Sequence, residues 1–224
     1  MVTHELKAHP TQAEIAQLPT FPGLSLEQVE VLRDDGQCKA ALAAIRKAGV
    51  IGFDTESKPT FTANAVRHGP HVIQFALPDQ AYVVQINAQT PLTFLRKVLE
   101  SDEIIKVGFG LKSDRELLHR KLDIQLAGAL ELTRALRQLG YRNDLGLKAA
   151  VAVVLGQQLR KPRSVTTSNW AAPALSPRQL LYAANDAYAS LMVYLAMRSN
   201  PALADIEPSR AQAVPRISTH DNKR

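Results

Sequence analysis

The 224-residue chain has a single cysteine, Cys38, and no apolar run long enough to span a membrane. One thiol excludes an internal disulfide and is typical of a reducing compartment, so we expect a cytoplasmic protein. The N-terminus lacks the apolar core of a signal peptide, which agrees with that expectation. The six histidines show no metal-ligand spacing, and no Cys/His cluster predicts a zinc site. Internal repeats are also lacking.

Acidic residues are fewer than basic ones, with 21 Asp and Glu against 27 Lys and Arg. The resulting net charge of +6 favours a polyanionic partner such as nucleic acid, and no membrane partner is predicted. A chain of this length can bury a full core in one domain. The composition leaves the oligomeric state open.

The hydrophobic pattern predicts one α/β domain over residues 26–200, preceded by a polar, loosely attached arm at 1–25. The proline-containing, aperiodic segment 201–224 is expected to be a disordered tail. Three strands close together, followed by strands that alternate with helices, predict a mixed β-sheet flanked by α-helices. The predicted strands are 27–32, 50–56, 71–77, 81–86 and 103–107, and the predicted helices are 36–47, 91–100, 111–122, 129–139, 144–155 and 176–198.

The stretch Val50–Glu56 predicts an apolar strand that ends in two carboxylates. Side chains alternate along a strand, so Asp54 and Glu56 lie on one face and Thr55 lies on the other. Two acids beside a core need a counter-charge, and a divalent cation is the natural one. The alternative is a strand end with two solvated acids, and so short a pattern does not decide between them.

Residues 104–114 predict a short strand, a glycine turn and a helix that carries Asp114 in its first turns. Gly108 and Gly110 permit a sharp change of backbone direction with little bulk at the end of the strand. Asp114 either complements the helix dipole or belongs to a functional site, and taken alone the first alternative is favoured.

A further acid, Asp186, lies in the middle of the predicted helix 176–198, where aspartate is neither a cap nor a favoured residue. Ser176 followed by proline marks the start of that helix. Tyr182 precedes Asp186 by four residues, so both share a helical face. Small alanines around them leave room for a close approach. The pair is either a half-buried tyrosine beside a solvated acid or part of a site.

In this order and with these flanks, the four acids and the tyrosine resemble the DEDDy family of 3′–5′ exonucleases. The likeness is closer to the Werner syndrome exonuclease type, including its stand-alone bacterial relatives, than to ribonuclease D. It covers about residues 28 to 198. Gly110 stands where many members carry Asn, as it does in the Werner-type branch. The supporting stretches are 52–56, 106–110, 131–133, 168–170 and 182–188.

The resemblance implies a ribonuclease H-like fold and hydrolysis that releases nucleoside 5′-monophosphates. Asp54, Glu56, Asp114 and Asp186 would be catalytic and would hold two divalent cations, Mg²⁺ or Mn²⁺. Two such ions about 3.5–4 Å apart can stabilise the attacking and leaving oxygens, and hard oxygen ligands favour these metals over zinc. Tyr182, neutral with an ordinary pKa near 10, is interpreted as a hydrogen-bonding group that orients the attacking water or hydroxide.

The segment Gln157–Pro173 and the loop Thr60–Pro70, with Arg67 and His68, are predicted to border the cleft. Trp170, the only tryptophan, either stacks on a base or anchors its segment, and the anchor is favoured. Cations suit contacts with the nucleic-acid backbone. The basic side chains predicted to meet phosphate are Lys58, Lys161 and Arg163.

The predicted substrate is a nucleic acid with a free 3′ end, with DNA favoured over RNA. A ribonuclease D-like RNA-trimming enzyme is one alternative, but that type carries extra helical domains for which we expect no room after residue 198. A binding module that has lost catalysis is the other alternative. The presence of all four acids and the tyrosine argues against it, because binding alone does not require them.

Overall fold

A six-stranded mixed sheet lies at the centre of the protein. The computed structural model describes residues 7–60, 68–137, 140–141 and 144–199. The strands are β1 (Val29–Val31), β2 (Val50–Glu56), β3 (Val72–Ala76), β4 (Ala81–Gln85), β5 (Ile105–Gly108) and β6 (Ala129–Glu131). Their order is β1–β4–β3–β2–β5–β6; β3 runs antiparallel to β2 and β4, and the other pairs are parallel.

Helices cover both faces of this sheet. Apolar residues of α2, α3 and α4 form a core with one face, and those of α5, α6 and α8 form a core with the other. The predicted mixed sheet flanked by helices is therefore confirmed. Over the described residues the helices are α1 (Gln12–Ala16), α2 (Asp35–Ala48), α3 (Leu92–Leu99), α4 (Leu111–Leu122), α5 (Leu132–Arg137), α6 (Leu147–Ala150), α7 (Arg163–Thr166) and α8 (Pro177–Arg198).

The segment predicted as a helix over 129–139 begins instead as a strand. Ala129, Leu130 and Glu131 pair in parallel with β5, and the helix starts only at Leu132. Hydrogen bonds to the neighbouring strand outweigh local helix preference here, which is a tertiary effect that periodicity does not report. The helix predicted over 144–155 is shorter as well: α6 passes into a π-type turn at Val151–Leu155.

Residues 7–25 are more firmly packed than the loosely attached arm we expected. Ile15, Phe21 and Leu24 are buried. The backbone N–H of Leu24 donates to the side-chain oxygen of Asn185 on α8, at 2.6 Å. Three spaced apolar side chains thus attach this mostly polar segment to the rest of the domain. Residues 1–6 and the tail 201–224 lie outside the described residues. No helix within the described ranges is long and apolar enough to cross a membrane.

Gly52 lets α8 lie directly against the central strand β2. A Cβ atom at Gly52 would overlap the carbonyl oxygen of Ala187 and lie 2.7 Å from its carbonyl carbon. Only a residue without a side chain permits this approach. Because Asp54 is two residues after Gly52 and Asp186 immediately precedes Ala187, the close contact places the end of β2 beside the middle of α8.

Candidate active site

Three carboxylates converge where β2 meets α8. One oxygen each of Asp54, Glu56 and Asp186 can be chosen so that all three lie within 4.8 Å of one another. Asp54 and Glu56 share a face of β2, as the alternation of strand side chains predicts. Asp186 is almost fully buried, at 2% exposure, so the cluster has little access to water on the side of the helix.

Asp114 lies beside this trio without belonging to it. The hydroxyl of Thr55, which points away from Asp54 and Glu56, donates a hydrogen bond to Asp114 Oδ1. Apart from burial, Asp114 is the strongest influence that raises the pKa of Asp54, so the two carboxylates interact closely. Asp54 therefore interacts with Asp114 as well as with Glu56 and Asp186.

Glu131 fixes the start of the helix that carries Asp114. Its carboxylate accepts hydrogen bonds from the backbone N–H of Gly110 at 3.2 Å and of Leu111 at 2.8 Å. Gly110 has φ +73°, a left-handed conformation that favours glycine and confirms the predicted sharp turn. An acid at this helix start satisfies N–H groups that would otherwise lack partners and also complements the dipole. Glu131 therefore positions Asp114 through the backbone.

The pKa values of all four acids are raised above their ordinary values. Burial, followed by the charge of Asp186, raises the pKa of Glu56 to about 8. Burial also raises the pKa of Asp114 to about 6. Burial raises the pKa values of Asp54 and Asp186 too, and neighbouring carboxylates add to the shift at Asp54. Packed this closely, the four acids cannot all be ionised without nearby positive charge.

Lys161 supplies part of that charge. Its Nζ lies 2.6 Å from Asp186 Oδ2 and 5.3 Å from the centre of the Tyr182 ring. Burial by itself would lower the pKa of Lys161, but the nearby Asp186 and Tyr182 raise it above its ordinary value. One ammonium cannot balance four carboxylates. The structure therefore places this predicted phosphate-contact residue inside the acidic cluster, with its side chain 29% exposed.

Tyr182 lies against the same cluster, one helical turn before Asp186. Its hydroxyl accepts a hydrogen bond from Thr166 of α7 at 3.1 Å. Burial and the charge of Asp186 raise the pKa of Tyr182 to about 12, so the phenol is neutral at ordinary pH. Such a group can donate or accept a hydrogen bond but is not a base.

Trp170 is completely buried, at 0% exposure, and packs on Tyr182 with 5.8 Å between ring centres. A buried indole offers no face to a base, so the structure supports the anchor alternative and not base stacking. Trp170 is therefore corrected from a substrate contact to a support for the ring of Tyr182.

The remaining predicted contacts are at the surface. Arg163, the first residue of α7, is exposed, and Lys58 is exposed two residues after Glu56. The backbone N–H of Lys58 donates to His71 Nδ1 at 3.1 Å. Most of the predicted border loop, including Arg67, lies outside the described residues, although His68 is described and exposed.

The donor set fits a hard divalent cation. It consists of carboxylate oxygens, which Mg²⁺ and Mn²⁺ prefer, with no thiolate or imidazole among the three converging ligands. Asp186 Oδ2 is buried, and the ammonium of Lys161 lies 2.6 Å from it, so this oxygen already has a cationic partner. A divalent cation bound among the carboxylates would add positive charge and lower their raised pKa values.

Two supporting residues had no assigned role in the sequence prediction. The sequence does indicate a role for Gly52, because a glycine inside an apolar strand is typical of a close approach by another backbone segment. Glu131 lies in one of the stretches that carry the family resemblance, but its hydrogen bonds cross from β6 to α4. That contact joins residues 20 and 21 positions apart and has no local pattern to indicate it.

Known proteins resemble this chain in sequence. A sequence profile of the family described as 3′–5′ exonuclease matches residues 29–200. The bifunctional 3′–5′ exonuclease/ATP-dependent helicase WRN of Mus musculus is 36% identical over 148 residues, which are 65% of this chain and 10% of that protein. A 3′–5′ exonuclease of Arabidopsis thaliana is 27% identical over 154 residues, 67% of this chain and 53% of that protein. The chain therefore spans only part of the length of these relatives.

Solved structures share the fold. The Nibbler EXO domain of Aedes aegypti superposes with a TM-score of 0.67 at 23% identity, covering 80% of this chain and 91% of that chain. Ribonuclease D of Trypanosoma brucei, in complex with RNA U12, superposes with a TM-score of 0.68 at 19% identity, covering 78% and 64%. The predicted ribonuclease H-like fold class is confirmed.

Proposed function

This chain belongs to the family of 3′–5′ exonucleases, and from that premise we propose that it removes nucleotides one at a time from the 3′ end of DNA, using two divalent cations. The observation that carries the proposal is the meeting of Asp54, Glu56 and Asp186, with Asp114 close enough to Asp54 to raise its pKa. Mg²⁺ and Mn²⁺ are the proposed ions because every ligand is a carboxylate oxygen.

The arrangement of acids divides into two sets that share Asp54. Asp54, Glu56 and Asp186 would hold one cation, and Asp54 together with Asp114 would hold the second. When bound, the cations stabilise negative charge on the attacking and leaving oxygens of an in-line displacement. The protein holds the ligands close together without metal, and the pKa of Glu56, raised first by burial and then by the charge of Asp186, would fall when a cation binds.

The reaction itself is a displacement at phosphorus. A water oxygen forms a bond to the terminal phosphorus, and the bond from that phosphorus to the O3′ atom of the preceding nucleotide breaks. One proton of that water passes to solvent, and the departing O3′ takes a proton from solvent, so that one water molecule is consumed in each cycle. The products are a nucleoside 5′-monophosphate and a strand one nucleotide shorter with a new 3′-hydroxyl.

Tyr182 and Lys161 support this step in different ways. Tyr182, neutral and held by Thr166, accepts or donates a hydrogen bond that orients the attacking water. Lys161 carries a positive charge beside Asp186 and is close enough to the cluster to contact the phosphate being cleaved. Arg163 and Lys58, both exposed near the site, extend this positive surface along the backbone of the strand.

A digestion assay tests the proposal. End-labelled DNA and RNA, single-stranded and as recessed duplexes, are incubated with Mg²⁺, with Mn²⁺ or with EDTA. We expect shortening from the 3′ end, release of 5′-monophosphates, resistance of a 3′-blocked strand and loss of activity in EDTA. Asp186→Asn, which keeps the shape of the side chain, is expected to be inactive. Activity that survives exhaustive chelation would contradict the two-metal mechanism.

RNA is the second candidate substrate. It is favoured by the shared fold with a ribonuclease D whose structure contains RNA. DNA is proposed first because the helicase-linked exonuclease is 36% identical to this chain, whereas that ribonuclease D is 19% identical. The same assay separates them: a higher kcat/KM on RNA than on DNA of equal sequence would replace DNA with RNA in the proposal.

A further inference from the structure

Gln74, in the middle of β3, is a buried amide without a partner. Its exposure is 0%, and neither its amide nitrogen nor its amide oxygen forms a hydrogen bond within the described ranges. Such a group loses its hydrogen bonds to water on folding and gains nothing in return from the protein. An apolar side chain of the same length would fill the position without that loss. Packing alone therefore does not explain why a polar side chain occupies this position.

The strand register places Gln74 beside the candidate active site. Gln74 is directly opposite Asp54 in the antiparallel pair of β2 and β3, so both side chains lie on one face with Cβ atoms about 4.5–5.5 Å apart. The residues two positions before and after it, Val72 and Ala76, pack with residues of α8 on this face. Gln74 consequently lies between the sheet and α8, next to the carboxylate that both proposed cations would share.

The surroundings of Gln74 are otherwise apolar or acidic. Val72 and Val83 flank it on the sheet, and Ala183, Ala184 and Ala187 line the facing side of α8. Small alanines leave space near a long amide. Asp54 Oδ1 accepts a hydrogen bond from the backbone N–H of Thr55 at 2.8 Å, which is one of the several that a carboxylate can accept. The amide of Gln74 and the carboxylate of Asp54 can therefore both form further hydrogen bonds.

We infer that Gln74 is a positioning residue of this site: joined to the carboxylate of Asp54 through a buried water molecule, its amide holds that carboxylate in its metal-binding orientation. A buried water is stable where it has two to four polar partners, and the amide and carboxylate supply them. Groups that orient a metal ligand commonly change metal affinity when they are removed. The inference rests on the proposed function, because it assigns Gln74 to the metal site.

The test compares two buried glutamines. Gln74→Met keeps the length of the side chain and removes both unpartnered polar atoms. Gln179→Met is the matched control, because Gln179 is also buried but its amide nitrogen donates to Ser168 Oγ at 3.0 Å and its amide oxygen accepts from Ser176. Melting temperature in EDTA and the Kd for Mn²⁺, from paramagnetic resonance of the free ion, are measured for each variant and the parent.

We expect Gln74→Met to melt at or above the parental temperature while its Kd for Mn²⁺ rises by about 10-fold to 100-fold. Gln179→Met should show the reverse, with a lower melting temperature and a parental Kd. An unchanged Kd in Gln74→Met would overturn the inference, and so would failure of that variant to fold, since either result makes the amide a structural group. Failure of the parent itself to bind Mn²⁺ would overturn the proposed metal site, and this inference with it.

Discussion

Replacing Gly52 with alanine tests whether the close contact of α8 with β2 assembles the site. The new Cβ would lie 2.7 Å from the carbonyl carbon of Ala187 and 3.1 Å from Leu191 Cβ, and would overlap the Ala187 oxygen. Carbon atoms pack favourably at about 3.5–4.0 Å, so the helix or the strand must retreat by about 1 Å. Both opposing atoms at Ala187 belong to the backbone and cannot rotate away.

Two consequences follow from that retreat. Overpacking a core typically costs about 1–3 kcal/mol, which corresponds to a fall of roughly 2–12 °C in melting temperature for a domain of this size. In the parent protein, one oxygen each of Asp54, Glu56 and Asp186 lie within 4.8 Å of one another. Mg²⁺ requires ligand distances near 2.1 Å, so moving Asp186 by about 1 Å should weaken metal binding and lower kcat/KM by about 100-fold or more.

The measurements are thermal unfolding in EDTA, a Mn²⁺ titration and kcat/KM on an end-labelled strand. Gly146→Ala is the control, because Gly146 has φ −79° and nothing lies within 4 Å of an added Cβ. It should change stability by about 1 kcal/mol at most, as an N-cap substitution, and leave the Kd for Mn²⁺ unchanged. If Gly52→Ala bound Mn²⁺ and turned over substrate as the parent does, the contact would not be what sets the carboxylate spacing.

Three further predictions address single groups. Tyr182→Phe should retain metal and nucleic-acid binding, because only the hydroxyl is lost. In single-turnover kinetics at saturating metal, its kcat should fall by roughly 10²–10⁴-fold. Parental turnover in this variant would show that the tyrosine serves only in packing. In EDTA, the folded protein holds a proton on Glu56 up to pH about 8, against an ordinary pKa of 4.5. The stability that this raised pKa contributes is fully present below pH about 4.5 and is lost as the pH rises toward 8. The melting temperature should therefore fall as the pH is raised from about 4.5 to about 8. Glu56→Gln, which cannot titrate, should make that fall smaller. Arg163→Ala should raise KM and reduce the salt slope of binding by about one, whereas an unchanged slope would place Arg163 away from the phosphates.

Much of the fold could be read from local patterns. The strand Val50–Glu56 and the helix Leu111–Leu122 have the predicted bounds, because apolar period, glycine turns and start signals coincide there. The edge strand β6 could not be read in the same way. Ala129 and Leu130 suit a helix as well as a strand, and only pairing with β5 decides between them. The packing of Phe21 likewise depends on a surface that distant segments build.

The four acids, the tyrosine and the family were determined by the sequence alone, because order and spacing along the chain identify such motifs. Which side chains meet was decided only by the tertiary structure. Lys161, predicted to bind phosphate, pairs with Asp186, which is 25 positions further along the chain. Trp170 is enclosed instead of facing a base. Charges and rings separated in sequence interact through distances in space, and those distances exist only once the sheet and α8 have packed together.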